Sequence, residues 1–360
     1  MTIHFPQELA DEIIDHFSGD SEFLTACSLV CRAWVSRTRS CLFETCTLAS
    51  YNLLGFCDLL QSPGCTFLQH VRSIDASYTC WEPADSVLWL NGFAAGLRRL
   101  PHVRTLEMAF YIPREMVFCA GLLAILPHIT LLTLRSGSPP APFIDIISLC
   151  PALQELHVLS LADTVAYPPA RAIPPSRLRS LTFGVRSSPG ILAWLNTAGH
   201  LPNVDSTTLS ALQPGEAPTV RAALQQVGCA LCHLKISVHD NSDVDAWTAY
   251  DLSLHPNLRT LAILYRSFLS QESSHIRLMA LITRLAAAGP ALESLTIDFN
   301  ANVFTFDWGA LDAFLSVARF PRLRKVLIQC NSDEVQFWLY LGGYWYRYVR
   351  TSADDVAPCN

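Results

Sequence analysis

The chain has 360 residues, of which 51% are apolar and only 16% are charged, whereas about a quarter of a globular protein is usually charged. Its net charge of −6 and its pI near 6.0 show that lysine and arginine are not in excess. Binding to nucleic acids or to anionic membranes needs such an excess, so we expect neither as a partner. The mean hydropathy of +0.27 indicates either a membrane protein or a chain that buries an unusually large part of itself.

The first residues read Met-Thr-Ile-His-Phe-Pro and lack the basic and apolar regions of a secretory signal. We therefore expect the chain in a reducing compartment, the cytoplasm or the nucleus. The thirteen cysteines are odd in number and irregularly spaced, so they are expected as free thiols that pack like small apolar residues. The longest stretch without charge, residues 116–134, contains Pro127 and His128, which favours a helix, a turn and a strand over a membrane span.

Apolar residues recur at helical spacing in two stretches near the N-terminus. The first stripe is Leu9, Ile13 and Phe17, and the second is Cys27, Val30, Cys31 and Trp34. Pro6 suits the first turn of a helix, and the segment 18–21 is polar and predicts a turn between the two stripes. The sequence therefore predicts a small helical module over residues 1–48.

The order Phe5-Pro6-x-Glu8-Leu9, then Val30-Cys31-x-x-Trp34, then Leu42-Phe43 resembles the F-box. That family opens with Leu-Pro-x-Glu, so Phe5 replaces a leucine while keeping its bulk and apolarity. The resemblance implies three short helices that dock on the Skp adaptor of Skp–cullin–F-box ubiquitin ligases. By the same resemblance, adaptor contacts fall on Phe5, Pro6, Leu9, Ile13, Leu29, Val30, Cys31 and Trp34.

The alternative is that these apolar residues only pack the three helices on one another and on the segment that follows. Packing is the favoured interpretation for Ile14, Phe17, Leu24 and Cys27. The interface is favoured for Pro6, Leu9 and Val30, because so small a module has more apolar side chains than it can bury.

From residue 70 onward, three apolar residues spaced as in L-x-x-L-x-L recur every 24 to 34 residues. Clear copies begin at Val103, Ile129, Leu153, Leu178, Leu231, Leu258, Leu292 and Leu323, weaker ones at Val71 and Val204, and a possible first one at Phe43. Proline stands two places before most of them, where it ends a helix and favours an extended chain. Segments with helical spacing, such as Val220 to Val227, lie between the copies. A strand and a helix thus form one repeating unit that must stack on its neighbours.

This pattern is similar to the leucine-rich repeat and covers roughly residues 65–335. The resemblance implies an α/β solenoid, a horseshoe with parallel strands on its concave face. The asparagine or cysteine that ties the family's turns survives only as Asn300 and Asn331, so we expect an irregular horseshoe. We predict a helical module at 1–48, about ten repeats at 49–335 and an aromatic cap and tail at 336–360, with Gly342-Gly343 breaking a helix in the cap.

The string Cys229-Ala-Leu-Cys232-His233 matches a haem-attachment motif and half of a zinc site. The repeat pattern accounts for it, since Leu231 and Leu234 are the buried leucines and no second such string completes a tetrahedral site. No nucleotide-binding, metalloprotease or serine-hydrolase motif is present. We therefore predict neither a metal nor any other cofactor, and no catalytic residue.

Side chains beside the middle leucine of each repeat point away from the core, and half of them are serine or threonine, of which threonine favours strands. The best candidates for contacts with a target protein are Glu155, His157, His233 and Lys235. The two resemblances together predict a non-catalytic, substrate-recognition subunit that binds the Skp adaptor, through it a cullin scaffold, and an unknown target protein. The alternative is a repeat scaffold in which the F-box-like segment serves only as an N-terminal cap.

Overall fold

The computed structural model describes residues 6–49, 51–76, 97–110, 124–136, 143–160, 172–185, 189–210, 212, 215–239, 250–266, 291–299, 308–315, 320–330, 338–341 and 344–347. The chain divides into two compact units. The first comprises Met1–His157 and Leu161–Arg177, and the second Val158–Ser160 and Leu178–Asn360.

The first unit begins with helices and continues with strands. Its elements are α1 Gln7–His16, α2 Ser21–Val30, α3 Arg32–Glu44, β1 Thr45–Thr47, α4 Leu53–Gln61, β2 Ser73–Ala76, β3 Thr105–Phe110, β4 Leu131–Ser136 and α5 Phe143–Ser148. Strand β5, Glu155–Ser160, begins in this unit and ends in the second. The predicted N-terminal helices are therefore present.

Helices α1 to α3 pack around a small apolar core. Ala10 and Ile14 from α1 and Leu24 and Cys27 from α2 are buried. The side chain of Asp20 accepts a hydrogen bond from the amide of Phe23 at 2.9 Å and so caps α2. The core is therefore not formed by the stripe Leu9, Ile13 and Phe17 that predicts α1, since those three side chains are 40–47% exposed.

An ion pair joins α1 to α3. The guanidinium of Arg37 donates to both carboxylate oxygens of Asp15, at 2.6 and 2.5 Å. The hydrogen bond from Arg37 holds the pKa of the Asp15 carboxyl below its ordinary value. Both side chains are more than 40% exposed, so the pair contributes orientation more than stability.

Strands β1 to β4 pair in parallel and follow the order of the chain. Ile74, Leu106 and Leu132 are paired across β2, β3 and β4, and each is at most 1% exposed. The middle apolar residue of each repeat therefore stacks on that of the next, as the L-x-x-L-x-L spacing predicts.

The register is fixed where each strand begins. The carbonyl oxygen of Arg72 accepts hydrogen bonds from the amides of both Arg104 and Thr105, at 2.8 and 3.1 Å. The same two-amide arrangement recurs at the carbonyls of Arg104, Thr130, Arg179, Asp205, Cys232, Arg259 and Glu293. Because these strands start at the same point of their repeats, one residue of slippage would turn the buried side chains outward.

The second unit alternates strands with helices and short 3₁₀ turns. Its elements are β6 Ser180–Val185, α6 Pro189–Thr197, β7 Ser206–Leu209, α7 Ala217–Val227, β8 His233–His239, β9 Thr260–Arg266, β10 Ser294–Phe299, α8 Trp308–Phe314, β11 Lys325–Cys330, β12 Trp338–Leu341 and β13 Tyr344–Arg347. Strands β6 to β11 are parallel and ordered as in the chain. The α/β repeat class predicted from the sequence is confirmed.

Helix α7 shows how one repeat is built. Val220, Ala223, Leu224 and Val227 are buried along one side, as their spacing predicts. Gly228 follows with φ +53°, in the left-handed region that favours glycine, and directs the chain toward β8.

The C-terminal run differs from the expected helix broken at Gly342-Gly343. Strands β12 and β13 pair in an antiparallel hairpin, with Trp338 opposite Arg347 and Leu341 opposite Tyr344. The helix prediction is wrong because aromatic residues favour a pleated strand, and they dominate this run. Residues 342 and 343 lie outside the described part of the chain, and the capping role of the run stays a prediction.

The described residues test two further expectations only in part. No helix within the described ranges is both long and apolar enough to cross a membrane. In the stretch 116–134, the residues from 124 onward form the end of a helix, a 3₁₀ turn at Leu126–His128 and the start of β4. The division at residues 48 and 335 stays a prediction.

A buried histidine makes the stability of the second unit depend on pH. The His255 side chain is fully buried, and its Nδ1–H donates to the Gly228 carbonyl at 2.8 Å. Burial, outweighing this hydrogen bond and the charge of Asp251, lowers the pKa of His255 from its ordinary 6.5. The unfolded chain therefore takes up the proton first, and folding stability falls as the pH drops below about 6.5.

The test uses His255→Gln, which keeps an N–H donor for Gly228 and cannot titrate. The midpoint of urea unfolding should fall less for this variant than for the wild type between about pH 8 and about pH 5.5. His16→Gln, at an exposed position, serves as the control and should behave as the wild type does. Equal decreases in the wild type and in His255→Gln would contradict the assignment.

Candidate functional site

Apolar side chains lie exposed on α1, on α2 and at the junction of α2 with α3. Leu9 is 47% exposed, Ile13 40%, Leu29 83% and Val30 64%. Pro6 and Cys31, which flank these helices, are also exposed. We call Pro6, Leu9, Ile13, Leu29, Val30 and Cys31 the apolar patch. All six belong to the predicted set of adaptor contacts.

The end of α2 accounts for the most exposed pair. The helix ends at Val30, and Cys31 is extended, with φ −157° and ψ 161°, before α3 begins at Arg32. Leu24 and Cys27 occupy the buried side of α2, so the last turn projects Leu29 and Val30 away from the three-helix core. These two side chains therefore do little for the packing of their own module.

Other residues of the module divide between core and surface. Ile14, Leu24 and Cys27 are buried, as the packing interpretation favours, and Trp34 is half-buried. Phe17 remains 41% exposed, although its ring lies 4.4 Å from that of Phe23. Phe5, the first of the predicted contacts, lies outside the described residues.

The four candidates for target contacts lie on two strands, one pair on each. In the first unit, Glu155 and His157 are neighbours on one face of β5, with Oε2 and Nε2 4.0 Å apart. In the second unit, His233 and Lys235 lie on one face of β8, both exposed. Nδ1 of His233 is 2.6 Å from the Thr260 hydroxyl on β9. The structure thus brings together the members of each pair.

The face of the first unit also carries an ion pair that the sequence pattern does not single out. Nε of Arg135 on β4 lies 2.6 Å from Oε1 of Glu107 on β3. Glu107 pairs in register with Thr133, two residues before Arg135. Only the pairing of β3 with β4 reveals that Glu107 and Arg135 are diagonal neighbours, because the two residues are far apart in the sequence.

The cysteine string Cys229 to His233 leads into β8. Cys229 and Cys232 are free thiols, and Sγ of Cys232 lies 3.5 Å from the carbonyl oxygen of Ala230. Among the described residues, no group of three or more histidine, cysteine, aspartate or glutamate side chains could hold a metal ion. Burial raises the pKa of the Cys46 and Cys150 thiols to about 12, so both stay protonated and pack as apolar groups.

No protein-family model matches the chain, and no curated protein matches it. Among solved structures, the chain is similar to one described as the crystal structure of the TLR13–ssRNA13 complex, with a TM-score of 0.37 and 15% sequence identity. The match covers 81% of this chain and 37% of that one, so this chain spans well under half the length of its structural neighbour. The repeat architecture described above is derived from the strand registers of this chain itself.

Proposed function

We propose that this chain is the substrate-recognition subunit of a Skp–cullin–F-box ubiquitin ligase. The N-terminal helices dock on the Skp adaptor through the apolar patch, and the repeats hold a target protein. The chain itself supplies no catalytic residue and no cofactor, and ubiquitin transfer belongs to the other subunits. It acts in the cytoplasm or the nucleus.

The apolar patch is the observation that carries this proposal. A leucine that is 83% exposed next to a valine that is 64% exposed leaves apolar area in water that a partner would remove. Burying each such side chain stabilises a complex by about 1.5–3 kcal/mol. Exposed apolar patches of this kind mark interaction sites, and this patch coincides with the contacts that the F-box resemblance implies.

The repeats contribute proximity to the reaction. A target held on the same chain as the adaptor-binding helices stays close to the ubiquitin-carrying subunits, which raises its effective concentration there. Glu155 with His157 and His233 with Lys235 offer polar side chains on the strand face for target contacts.

A second candidate function is a repeat scaffold in which α1 to α3 only cap the array. One observation favours it, since α3 runs directly into β1 and the module is continuous with the first repeat. The rings of Phe43 in α3 and Phe67 are stacked with centroids 4.5 Å apart. In this alternative the helices protect the end of the core and bind no adaptor.

Co-expression with a Skp adaptor tests the proposal. The full chain should co-elute with the adaptor in size-exclusion chromatography as a stoichiometric complex. A chain that lacks residues 1–45 should elute without the adaptor while retaining its circular dichroism signal for the repeats. Absence of a complex with the full chain, or equal co-elution after the deletion, would contradict the proposal.

A further inference from the structure

The first unit carries a row of arginine and histidine residues where its strands begin. The tripeptide His70-Val71-Arg72 precedes β2, and His102-Val103-Arg104 precedes β3 at the same distance. His128 occupies the matching position before β4. Both valines are at most 1% exposed, so packing in the core restricts which residues can stand there. In contrast, the side chains of Arg72, His102, Arg104 and His128 are exposed. Packing alone therefore does not explain why the flanking residues repeat as well.

The backbone places these residues side by side. Ser73, Thr105 and Leu131 are partners across β2, β3 and β4, so each histidine stands three residues before its paired position. The amide of Arg104 donates to the Arg72 carbonyl at 2.8 Å, which joins the two strand starts directly. Neighbouring parallel strands lie about 4.8 Å apart, so the row extends roughly 10 Å over three repeats.

The two arginines are held by the backbone and not by carboxylates. Nη1 of Arg72 donates to the Gln69 carbonyl at 2.9 Å, and Nη1 of Arg104 donates to the Val103 carbonyl at 3.0 Å. Within the described part of the chain, neither forms an ion pair with a carboxylate. A carbonyl orients a guanidinium but leaves its charge unneutralised, so both arginines keep donors for an anion.

A third arginine extends the row at one end. Arg39 of α3 donates to the Thr66 hydroxyl at 2.8 Å. Burial, and then the positive charges of Arg72 and Arg39, lower the pKa of the His70 ring. Before β1, the position that corresponds to Arg72 before β2 is occupied by Glu44, whose side chain is exposed.

We propose that this basic row, consisting of Arg39, His70, Arg72, His102, Arg104 and His128, binds an extended acidic segment of a partner protein. The inference rests on the proposed function and deepens it, because it names the class of target segment that the ligase would recognise. Three or four residues of an extended peptide span the row at about 3.3 Å per residue, which brings aspartate and glutamate side chains within reach of the guanidinium groups.

A nucleic acid fits the row less well than an acidic peptide does. Binding of a nucleic acid rests largely on neutralising its phosphates, and the row supplies only three permanent charges, at Arg39, Arg72 and Arg104. The net charge of −6 on the chain also repels a long polyanion more than a short peptide.

Fluorescence anisotropy with the full-length protein tests the inference. The probe is a short labelled peptide of alternating glutamate and serine, compared with the same peptide carrying glutamine in place of glutamate. Arg72→Ala with Arg104→Ala should weaken binding of the acidic peptide by about tenfold or more. The matched control is Arg179→Ala with Arg259→Ala, which removes exposed arginines from the equivalent strand-start position in the second unit and should leave binding unchanged.

Further variants and probes complete the design. Arg72→Lys with Arg104→Lys keeps the charge and should retain most of the affinity, which separates loss of charge from loss of folding. Equal weakening by the two alanine pairs, equal binding of the glutamine peptide, or tighter binding of an RNA oligonucleotide of equal charge would overturn the inference. Co-elution with the Skp adaptor, measured on the Arg72 and Arg104 variants, reports on the proposed function separately, since the row is distinct from the apolar patch.

Discussion

Replacing Leu29 and Val30 together by aspartate should abolish co-elution with a Skp adaptor while leaving the protein folded. In the free chain both side chains face water, so the added carboxylates meet little desolvation cost there. In the complex, two unpaired charges would lie where two apolar groups should be buried. The loss corresponds to about 4 kcal/mol or more, a decrease of roughly a thousandfold in affinity.

The control for this variant is Ile173→Asp. Ile173 is 72% exposed, in the range of Leu29 and Val30, and lies in the first unit outside the three helices. Adaptor binding by Ile173→Asp should equal that of the wild type. If the Leu29 and Val30 variant instead lost its circular dichroism signal and its cooperative unfolding, the helices would be a structural cap and the second candidate function would be correct.

The substitution Gly184→Ala should destabilise the second unit more than a typical surface change. Gly184 lies within β6, and a Cβ atom there would overlap the backbone carbonyl of Leu159 on β5. A main-chain atom within a sheet cannot rotate away as a flexible side chain can, so the strands must separate locally. We expect a loss of about 3 kcal/mol in the free energy of unfolding, measured by urea denaturation.

Gly55→Ala is the matched control and should have the opposite sign. Gly55 lies inside α4, and no atom lies within 4 Å of the position that its Cβ would occupy. Alanine there removes backbone freedom from the unfolded chain and raises helix propensity, a gain of about 0.5–1 kcal/mol. If Gly184→Ala changed the free energy of unfolding by no more than Gly55→Ala does, β5 and β6 would not approach each other as described.

The sequence by itself determined the repeating unit. The buried residues Leu106, Leu132 and Leu261 are those that the L-x-x-L-x-L spacing singles out, because a stripe that recurs in every unit leaves one way to stack them. His-Val-Arg occurs twice in the sequence, at His70–Arg72 and at His102–Arg104. Only the strand register shows that the two copies lie side by side, because they are far apart along the chain.

Tertiary structure decided which apolar side chains are exposed. Spacing places Cys27 and Val30 on one helical stripe, yet Cys27 is 4% exposed and Val30 is 64% exposed. The difference arises because α2 ends at Val30, where the neighbouring helices no longer cover it. The C-terminal hairpin shows the same limit, as strand pairing prevailed over the expected helix. Periodicity indicates which residues share a face, but the facing elements decide how far along that face burial extends. At the end of α2 they leave Leu29 and Val30 exposed.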